Sequence, residues 1–425
     1  MSTTGATIAA PPSSELKRLA TTPAVLCLIL FSAAYITNAM DRSIFATLLP
    51  MISKTQHYGL KTGGLLATIF NLGIGLAGLP TGYLLDRWSR RSVLILGMVI
   101  YSVATLATVV SLSVLDMAFY RTITGIGEGM QLTALFVAGG SYFYKNKAFV
   151  LGCINVGFGI GGVIGPYWGT IIALRAGTWK TPFVVFCFLG LAMALAIRLL
   201  IPKNFSEQKA IRNVVDNSVA VDNIPENFLN HNIKLLMGSA FVQGAVGFGF
   251  QGLYVTYLIR HLHYSQIQAG TVYSFYGFGC MLPMLGGWLG DRFSNRGAVI
   301  TAFGSMAVIT FLIFNVATNP YELYALTFLQ AFCYSGVLYV NHVALFQRCV
   351  RPNMVGRATG LCNTTHFISG TLSGFVFALL AEKLGWGWAG ILQLSLLSVA
   401  AIFLVWMLDP KQMLDTRHKL SVGGH

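Results

Sequence analysis

The sequence predicts an all-α membrane protein of twelve transmembrane helices in two pseudo-symmetric six-helix bundles. Three observations predict this class: the composition, twelve apolar segments of spanning length, and a charged loop that recurs in both halves. The 425 residues are 55% hydrophobic and 10% charged, whereas soluble domains carry about 25% charged residues. The unit of the fold is therefore the spanning helix.

Each apolar segment can cross the hydrocarbon layer as a helix that rises about 1.5 Å per residue. The predicted spans are 24–50, 62–85, 92–112, 115–141, 148–174, 182–201, 233–258, 267–290, 298–318, 321–347, 356–381 and 387–408. The corresponding domains are an N-terminal tail (1–23), a first bundle (24–201), a linker (202–232), a second bundle (233–408) and a C-terminal tail (409–425). Pro50 predicts that the first helix ends there.

The distribution of basic residues predicts the orientation. With the N-terminus inside, the 28 Lys and Arg residues favour the inner segments over the outer ones by 20 to 6, and the remaining two lie within spans. This bias predicts that both termini lie in the cytoplasm. We expect a multi-pass protein, in the inner membrane of a bacterium. The bias also explains the net charge of +14 without a nucleic-acid partner.

A charged loop follows the second span of each half. "GYLLDRWSRR" (82–91) and "GWLGDRFSNR" (287–296) agree at six of ten positions. The repeat predicts bundles related by an axis along the membrane normal, with a site between them near mid-membrane. The aspartate can accept N–H bonds at a helix N-terminus, and the arginines can bridge to the C-termini of neighbouring helices. The predicted cytoplasmic gate comprises Gly82, Asp86, Arg87, Arg90, Arg91, Asp291 and Arg292.

The first copy of this loop resembles the signature of the major facilitator superfamily, G-x-L-x-D-R-x-G-R-R/K. Ser89 stands where that signature usually has its second glycine. With a 6+6 arrangement of spans, the resemblance covers essentially the whole chain. It implies a secondary transporter that works without ATP hydrolysis, and the sequence contains no G-x-x-x-x-G-K-[ST] loop.

Four ionisable residues lie inside predicted spans. Asp41 and Arg42 are adjacent in the first span, and Arg121 and Glu128 are seven residues apart on one face of the fourth. Each ion costs about 2.5–3.5 kcal/mol at the bilayer centre, so such residues are paired or face water, and they mark functional sites. An anion that engages an arginine would release its carboxylate to take up a proton, and this couples the two binding events.

"NAMDR" and "RTITGIGEG" resemble N-x-x-D-R and R-x-x-x-G-x-G-E. Both patterns are typical of proton-linked organic anion (anion:cation) symporters and of Spinster-type lipid transporters. The resemblance implies that Asp41 and Glu128 couple protons and that Arg42 and Arg121 bind substrate. "GLLATIF" (64–70) is similar to the Spinster type, whereas "LCNTTHFISGTLSG" (361–374) is similar to the anion symporters.

Further polar residues predict the remainder of the substrate site. Asn38 and Gln131 extend the faces of the charged residues. The second half offers polar and aromatic groups inside its spans, where helix–helix hydrogen bonding is the alternative role. The residues predicted to bind substrate are Arg42, Arg121, Asn38, Gln131, Gln251, Tyr254, Tyr334, Asn341, His342 and His366.

The sequence thus predicts proton-coupled symport of a small organic carboxylate by alternating access. One alternative is a Spinster-like carrier of a lysolipid or amphiphile. Another is a proton-coupled exporter of drugs or metabolites. The fifth span resembles the fifth-span signature of drug:proton antiporters at Gly152, Gly161, Gly165, Pro166 and Gly169. Close helix packing also explains those glycines.

Other classes of protein fit the sequence less well. The seven cysteines and eight histidines form no cluster with metal-ligand spacing. No Ser-His-Asp pattern indicates an enzyme, and "GFGIGG" (157–162) lies mid-span without the preceding strand of a nucleotide site. We expect a monomer without cofactor or metal whose partners are an organic anion, protons and membrane lipid. A non-transporting sensor would not need four intramembrane ions.

Overall fold

The computed structural model describes residues 20–143, 147–207, 224–351 and 354–414. Most of the predicted N-terminal tail, linker and C-terminal tail lies outside these ranges. The described part is helical throughout, without strands. This confirms the predicted all-α class.

Twelve successive spans, named α1 to α12, occupy the described ranges. They are α1 Thr21–Gln56, α2 Leu60–Thr68 with Phe70–Arg87, α3 Arg90–Thr108, α4 Val114–Tyr142, α5 Lys147–Ala176, α6 Lys180–Leu200, α7 His231–Arg260, α8 Gln266–Gly279 with Pro283–Arg292, α9 Asn295–Asn315, α10 Pro320–Ala331 with Phe332–Tyr339 and Val340–Arg348, α11 Val355–Thr371 with Ser373–Leu384, and α12 Trp386–Ala389 with Gly390–Leu396 and Leu397–Trp406. A single helical turn, Lys203–Ser206, follows α6.

Ten of the spans within these ranges contain a helix long and apolar enough to cross a membrane. The other two are α4, which carries Asp116, Arg121 and Glu128, and α8, which is interrupted before Pro283. Charge in one helix and a proline in the other account for the difference. Proline lacks an N–H group and disfavours helical geometry in the residue before it.

The first helix does not end at Pro50, so this prediction is wrong. α1 continues to Gln56, and His57 then terminates it with a left-handed backbone (φ 55°). Proline interrupts the i→i−4 ladder at its own N–H, but packing on both sides of the helix can keep it continuous. Ile44, Leu48, Leu49 and Ile52 are buried around Pro50.

Two spans contain a π-helical segment, Phe332–Tyr339 in α10 and Gly390–Leu396 in α12. π-helical segments are rare in proteins, and those that occur often lie at functional sites. In α10 the segment includes Tyr334, whose ring lies against the backbone of Gly247 in α7. The wider turn therefore places a large aromatic residue where α7 has no side chain.

The two halves meet along α2–α11, α5–α8 and α1–α7. On α2 and α11, a Cβ atom on Gly64 would strike the backbone of Gly374, and Thr68 Oγ1 donates a hydrogen bond to the Thr371 carbonyl at 2.8 Å. Nearby, Lys61 Nζ lies 3.3 Å from Glu382 Oε2. We call this end of the bundle the Lys61 end.

The other end, which holds the repeated loops, is the Arg87 end. A Cβ added at Gly75 of α2 still meets Ile368 of α11. The next glycines toward the Arg87 end face open space on both helices; they are Gly78, Gly82, Gly356 and Gly360. α2 and α11 therefore touch at the Lys61 end and separate toward the Arg87 end.

Candidate functional site

Asp41 and Arg42 are neighbours on α1, but their side chains engage different helices. Asp41 Oδ2 accepts a hydrogen bond from Thr105 Oγ1 of α3 at 2.7 Å. Arg42 Nε donates to Glu128 Oε2 of α4 at 2.9 Å, and the Glu128 side chain is fully buried. Each member of the pair thus has a partner across a helix interface, as expected.

A second partner of the Arg42 guanidinium is the Asn38 amide, which the Gln131 amide holds in turn. Arg42 Nη2 donates to Asn38 Oδ1 at 3.3 Å, one turn earlier on α1. Asn38 Nδ2 donates to Gln131 Oε1 at 2.8 Å, and Gln131 Nε2 donates to the Ala34 carbonyl at 2.8 Å. The predicted residues Asn38 and Gln131 therefore position Arg42 and lie behind it.

Arg121 has a different environment from Arg42. Its guanidinium carbon lies 4.6 Å from the ring centre of Phe45 and 5.1 Å from that of Phe70. It interacts electrostatically with Glu128 and Asp41, but its Nε and Nη2 atoms are buried without a hydrogen-bond partner among the described residues. An aromatic face stabilises a cation by about 0.5–2 kcal/mol, less than a full set of hydrogen bonds to a charged group.

Glu128 also has an unused hydrogen-bonding atom. Its Oε1 is buried and accepts no hydrogen bond from the described residues. A buried polar atom without a partner costs about 1–3 kcal/mol, and such exceptions often mark a catalytic or binding role. The free donors of Arg121 and the free acceptor of Glu128 leave capacity for a proton, an anion or a rearranged pair.

A central cavity lies beside this cluster, between the two halves. The space between its atoms totals about 520 Å³, which includes space open to solvent. Its walls are Ala39, Arg42, Ser43, Ala46, Ala67, Thr68, Phe70, Phe158, Gly162, Phe248, Gln251, Gly252, Tyr273, Tyr276, Gly277 and Cys280. Among these residues, Arg42 is the sole charged one, so it joins the cavity to the buried cluster.

Of the polar residues predicted from the second half, Gln251 lines the cavity. Its Nε2 donates to the Gly247 carbonyl at 3.2 Å. Tyr254 points elsewhere, since its hydroxyl lies 2.8 Å from Thr327 Oγ1 in α10. The two residues lie three positions apart on α7, yet Gln251 faces the cavity and Tyr254 faces α10.

The two predicted histidines are buried among other helices of the second half. His342 lies between Ser239 Oγ, 2.7 Å from its Nε2, and Gln243 Oε1, 2.7 Å from its Nδ1. His366 Nε2 lies 3.2 Å from the Tyr334 hydroxyl, and its Nδ1 has no partner in the described part of the chain. Neither histidine reaches the cavity wall, and Tyr334 does not either.

Asn341 has a packing role in the structure. Its Nδ2 donates to the carbonyls of Gly286 and Val337, at 2.9 and 2.8 Å. Its Oδ1 accepts from Asn295 Nδ2 at 2.8 Å. These bonds tie α10 to α8 and α9 away from the cavity.

The phenylalanines of the cavity wall were not among the predicted site residues. Phe70, Phe158 and Phe248 approach from α2, α5 and α7, and Tyr273 and Tyr276 from α8. Phenylalanine in a spanning helix contacts lipid, core and cavity alike, so the sequence contains no signal that separates these positions. Spacing does suggest Tyr273 and Tyr276, which lie three residues apart on one face of a helix.

The repeated loops form matching contacts in the two halves. Arg87 lies over the Tyr83 ring at 4.1 Å, and Arg292 over the Trp288 ring at 5.6 Å. Arg91 Nη1 donates to the Ile201 carbonyl after α6, and Arg296 Nη2 donates to the Trp406 carbonyl at the end of α12. The prediction that arginines bridge to the C-termini of neighbouring helices is confirmed for this equivalent pair.

The N-terminus of α3 is capped by Ser89 and Glu207. Ser89 Oγ accepts from Ser92 N at 3.1 Å, and Ser294 caps α9 through Gly297 N in the same way. Glu207, just after α6, accepts from the backbone N–H groups of Arg90 and Arg91 at 2.9 and 3.1 Å. The side chain of Asp86 lies outside the described atoms, and Asp291 is exposed.

A family model described as Major Facilitator Superfamily matches residues 31–284 and 236–420. The chain belongs to the major facilitator superfamily. The major facilitator fold predicted from the sequence is therefore confirmed, and the protein is a membrane transporter and not an enzyme.

Relatives of this major facilitator protein include a hexuronate transporter and a spinster homolog. It is 26% identical over 377 residues to the hexuronate transporter of Bacillus subtilis (strain 168), with 83% of this chain and 87% of the relative covered. It is 31% identical over 235 residues to protein spinster homolog 3 of Danio rerio, which covers 53% of this chain and 43% of the relative.

A solved structure shares the fold of this major facilitator protein. It is a bacterial homolog of the human lysosomal transporter Spinster in an inward-facing, unoccupied conformation. The two superpose with a TM-score of 0.67 at 18% identity, over 92% of this chain and 96% of that one. At this level of identity the likeness concerns the fold alone.

Proposed function

We propose that this protein is a proton-coupled symporter of a small organic anion that works by alternating access. The observation that carries the proposal is the double engagement of Arg42. It lines the central cavity and it is the hydrogen-bonded partner of the buried Glu128. The Arg42 side chain thus contacts both the cavity that would hold a solute and the carboxylate that would hold a proton.

The coupling follows from competition for Arg42. Burial favours the protonated form of a carboxylic acid, and a guanidinium partner favours the ionised form. An anion in the cavity draws Arg42 from Glu128, which then binds a proton. Protonation of Glu128 likewise frees Arg42 for an anion, because thermodynamic coupling is reciprocal.

Asp41 and Arg121 complete the cycle in this proposal. With both acids ionised, two guanidiniums and two carboxylates sum to no net charge. One proton on Glu128 or Asp41 leaves one positive charge, which a monoanion neutralises. Arg121 supplies the second cation, since its free Nε and Nη2 atoms can bind whichever anionic group loses Arg42.

Alternating access is supported by the uneven contact between the halves. The Lys61 end is held by Lys61–Glu382 and Thr68–Thr371, whereas α2 and α11 separate toward the Arg87 end. The excess of basic residues supports an orientation in which the Arg87 end and both termini lie in the cytoplasm. The repeated loops then form the cytoplasmic gate, in the inner membrane of a bacterium, and each monomer holds one complete site.

A Spinster-like carrier of an amphiphile is the second candidate. The apolar walls of the cavity favour it, together with the likeness to protein spinster homolog 3. Export has weaker support, because close packing against neighbouring helices accounts for the glycines of α5. A Cβ at Gly161 or Gly165 would collide with α1, and one at Gly152 would meet Met284 of α8.

The decisive experiment is uptake by proteoliposomes under an imposed pH gradient. Monocarboxylates, sugar acids, aromatic acids and lysolipids are screened, and protein-free liposomes correct for weak acids that cross as neutral molecules. We expect an anion to accumulate with an inward proton gradient. Glu128→Gln is expected to abolish this accumulation but retain counterflow, and Glu322→Gln, at an exposed site, is the matched control.

Two results contradict the proposal. One is that no anion accumulates above the protein-free background when the gradient is applied. The other is that Asp41→Asn and Glu128→Gln both leave gradient-driven uptake at the wild-type rate. An outward-directed response of the same anion would instead support export.

A further inference from the structure

We propose that the cavity is built for an aryl monocarboxylate, and not for a polyhydroxylated sugar acid or a lysolipid. This rests on the proposed transport of an organic anion and specifies its class. The cavity presents one cation, Arg42, and the large side chains of its wall are mainly aromatic, namely Phe70, Phe158, Phe248, Tyr273 and Tyr276, beside small residues. A flat apolar ring that carries one carboxylate matches that wall, whereas a sugar acid also needs partners for several hydroxyl groups.

The site for the carboxylate is the free edge of Arg42. Nε and Nη2 are used by Glu128 and Asn38, whereas Nη1 donates no hydrogen bond within the described ranges. The guanidinium carbon lies 5.8 Å from the ring centre of Phe70 and 5.5 Å from that of Phe158. The rings restrict the approach to the guanidinium, so one carboxylate can bind in the remaining direction.

Most polar atoms of the cavity wall are already committed to the protein. Ser43 Oγ donates to the Met40 carbonyl at 3.1 Å. Thr68 Oγ1 donates to the Thr371 carbonyl and accepts from Gly374 N. Gln251 Nε2 donates to the Gly247 carbonyl. These groups have little capacity left for the hydroxyl groups of a solute.

The uncommitted groups of the wall suit one or two polar substituents on a ligand. The hydroxyl groups of Tyr273 and Tyr276, and Gln251 Oε1, make no hydrogen bond with other described residues. They can pair with one or two groups on a ligand. A sugar acid would leave further hydroxyls unpaired, and each weakens binding by about tenfold.

Aromatic rings approach the cavity from both halves. Phe70 and Phe248 meet edge to face, with centroids 6.2 Å apart, and Tyr273 and Tyr276 are stacked at 5.8 Å. Phe158 approaches from α5. An aryl ring among them gains edge-to-face and offset contacts that a saturated ring of similar size does not, by about threefold to tenfold in affinity.

The test is equilibrium binding to the purified full-length chain in lipid nanodiscs, by calorimetry. The probes are benzoate, 4-hydroxybenzoate, cyclohexanecarboxylate, glucuronate and lysophosphatidylcholine. We expect benzoate to bind at least tenfold more tightly than glucuronate and about threefold to tenfold more tightly than cyclohexanecarboxylate. Binding requires no proton gradient, so passive permeation of weak acids does not affect the result.

Variants test the contribution of the wall. Phe158→Leu is expected to weaken benzoate binding threefold to tenfold and to leave cyclohexanecarboxylate nearly unchanged. Phe188→Leu, on the exposed face of α6, is the matched control and should bind both like the wild type. The ranking of ligands by the wild type tests the proposal even where Phe158→Leu fails to fold.

Three outcomes overturn the inference: glucuronate binds as tightly as benzoate, lysophosphatidylcholine alone binds, or none of the probes binds. These failures differ from a failure of the proposed function. Proton-driven accumulation of glucuronate with no binding of benzoate would refute the aryl class and keep the symporter. Tight binding of benzoate without proton-driven accumulation would refute the symporter and keep the aryl class.

Discussion

Arg42 of α1 and Glu128 of α4 form an ion pair of 2.9 Å in which the carboxylate is fully buried and the guanidinium lines the central cavity. The pair is asymmetric, because Glu128 Oε1 has no partner in the described structure, while Arg42 is also held by Asn38. In the proposed mechanism, the member that binds the proton, Glu128, is thus enclosed by protein, and the member that binds the anion, Arg42, faces the cavity.

A double-mutant cycle will measure the coupling of this pair. Removing one partner of a buried pair leaves an uncompensated charge and costs about 3–5 kcal/mol. We expect Arg42→Gln and Glu128→Gln each to lower the free energy of unfolding in detergent. The double variant should lose clearly less than the sum of the two. Additive losses would indicate that the two side chains do not interact.

The Asp41 carboxylate accepts a 2.7 Å hydrogen bond from the hydroxyl group of Thr105. Thr105→Val keeps the shape of the side chain but removes the donor, at a cost of about 1.5–3 kcal/mol for a bond to a charged group. We expect gradient-driven uptake to fall about tenfold in Thr105→Val, with counterflow less affected. Thr105→Ser retains the hydroxyl and should transport at a rate near that of the wild type. Equal uptake by all three proteins would exclude this hydrogen bond from coupling.

The residues of the ion cluster could be predicted from the sequence, because a charge stands out in an apolar span. Asp41, Arg42, Arg121 and Glu128 were found in this way, and the repeated loop predicted the two halves. The partner of Asp41 could not be predicted, since threonine is common in spanning helices. Phe70, Phe158 and Phe248 are equally inconspicuous, because an aromatic wall has the composition of any helix packed in lipid.

In the second half, too, the sequence could not predict which polar residues line the cavity. Tyr254 and Gln251 both looked like ligand contacts, yet only Gln251 lines the described cavity. Which face of α7 is turned to the cavity depends on how that helix packs against α1, α2 and α10. The prediction that α1 ends at Pro50 failed for a comparable reason, because the packing around α1 keeps the helix continuous through this residue.

Ser89 replaces the usual glycine of the loop signature and caps α3. Ser89→Ala removes the cap and should lower the free energy of unfolding by about 1 kcal/mol, whereas Ser89→Gly should cost only a few tenths, because glycine is tolerated at this position. Thermal unfolding in detergent distinguishes the two. If Ser89→Gly proves the more destabilising variant, capping does not explain the serine.

Gly64 sets the distance between α2 and α11 at the Lys61 end, because a Cβ at this position would strike the backbone of Gly374. Backbone cannot yield as a flexible side chain can, so Gly64→Ala should push the helices apart and prevent closure at this end. We expect transport to fall at least tenfold while the protein remains folded, and spin labels across α2 and α11 should report a greater distance there. Gly78→Ala in the same helix faces open space and is the matched control, with wild-type transport and a stability that is equal or higher, since alanine favours helix by about 1 kcal/mol. Wild-type transport in Gly64→Ala would mean that contact between these two glycines is not needed in the cycle.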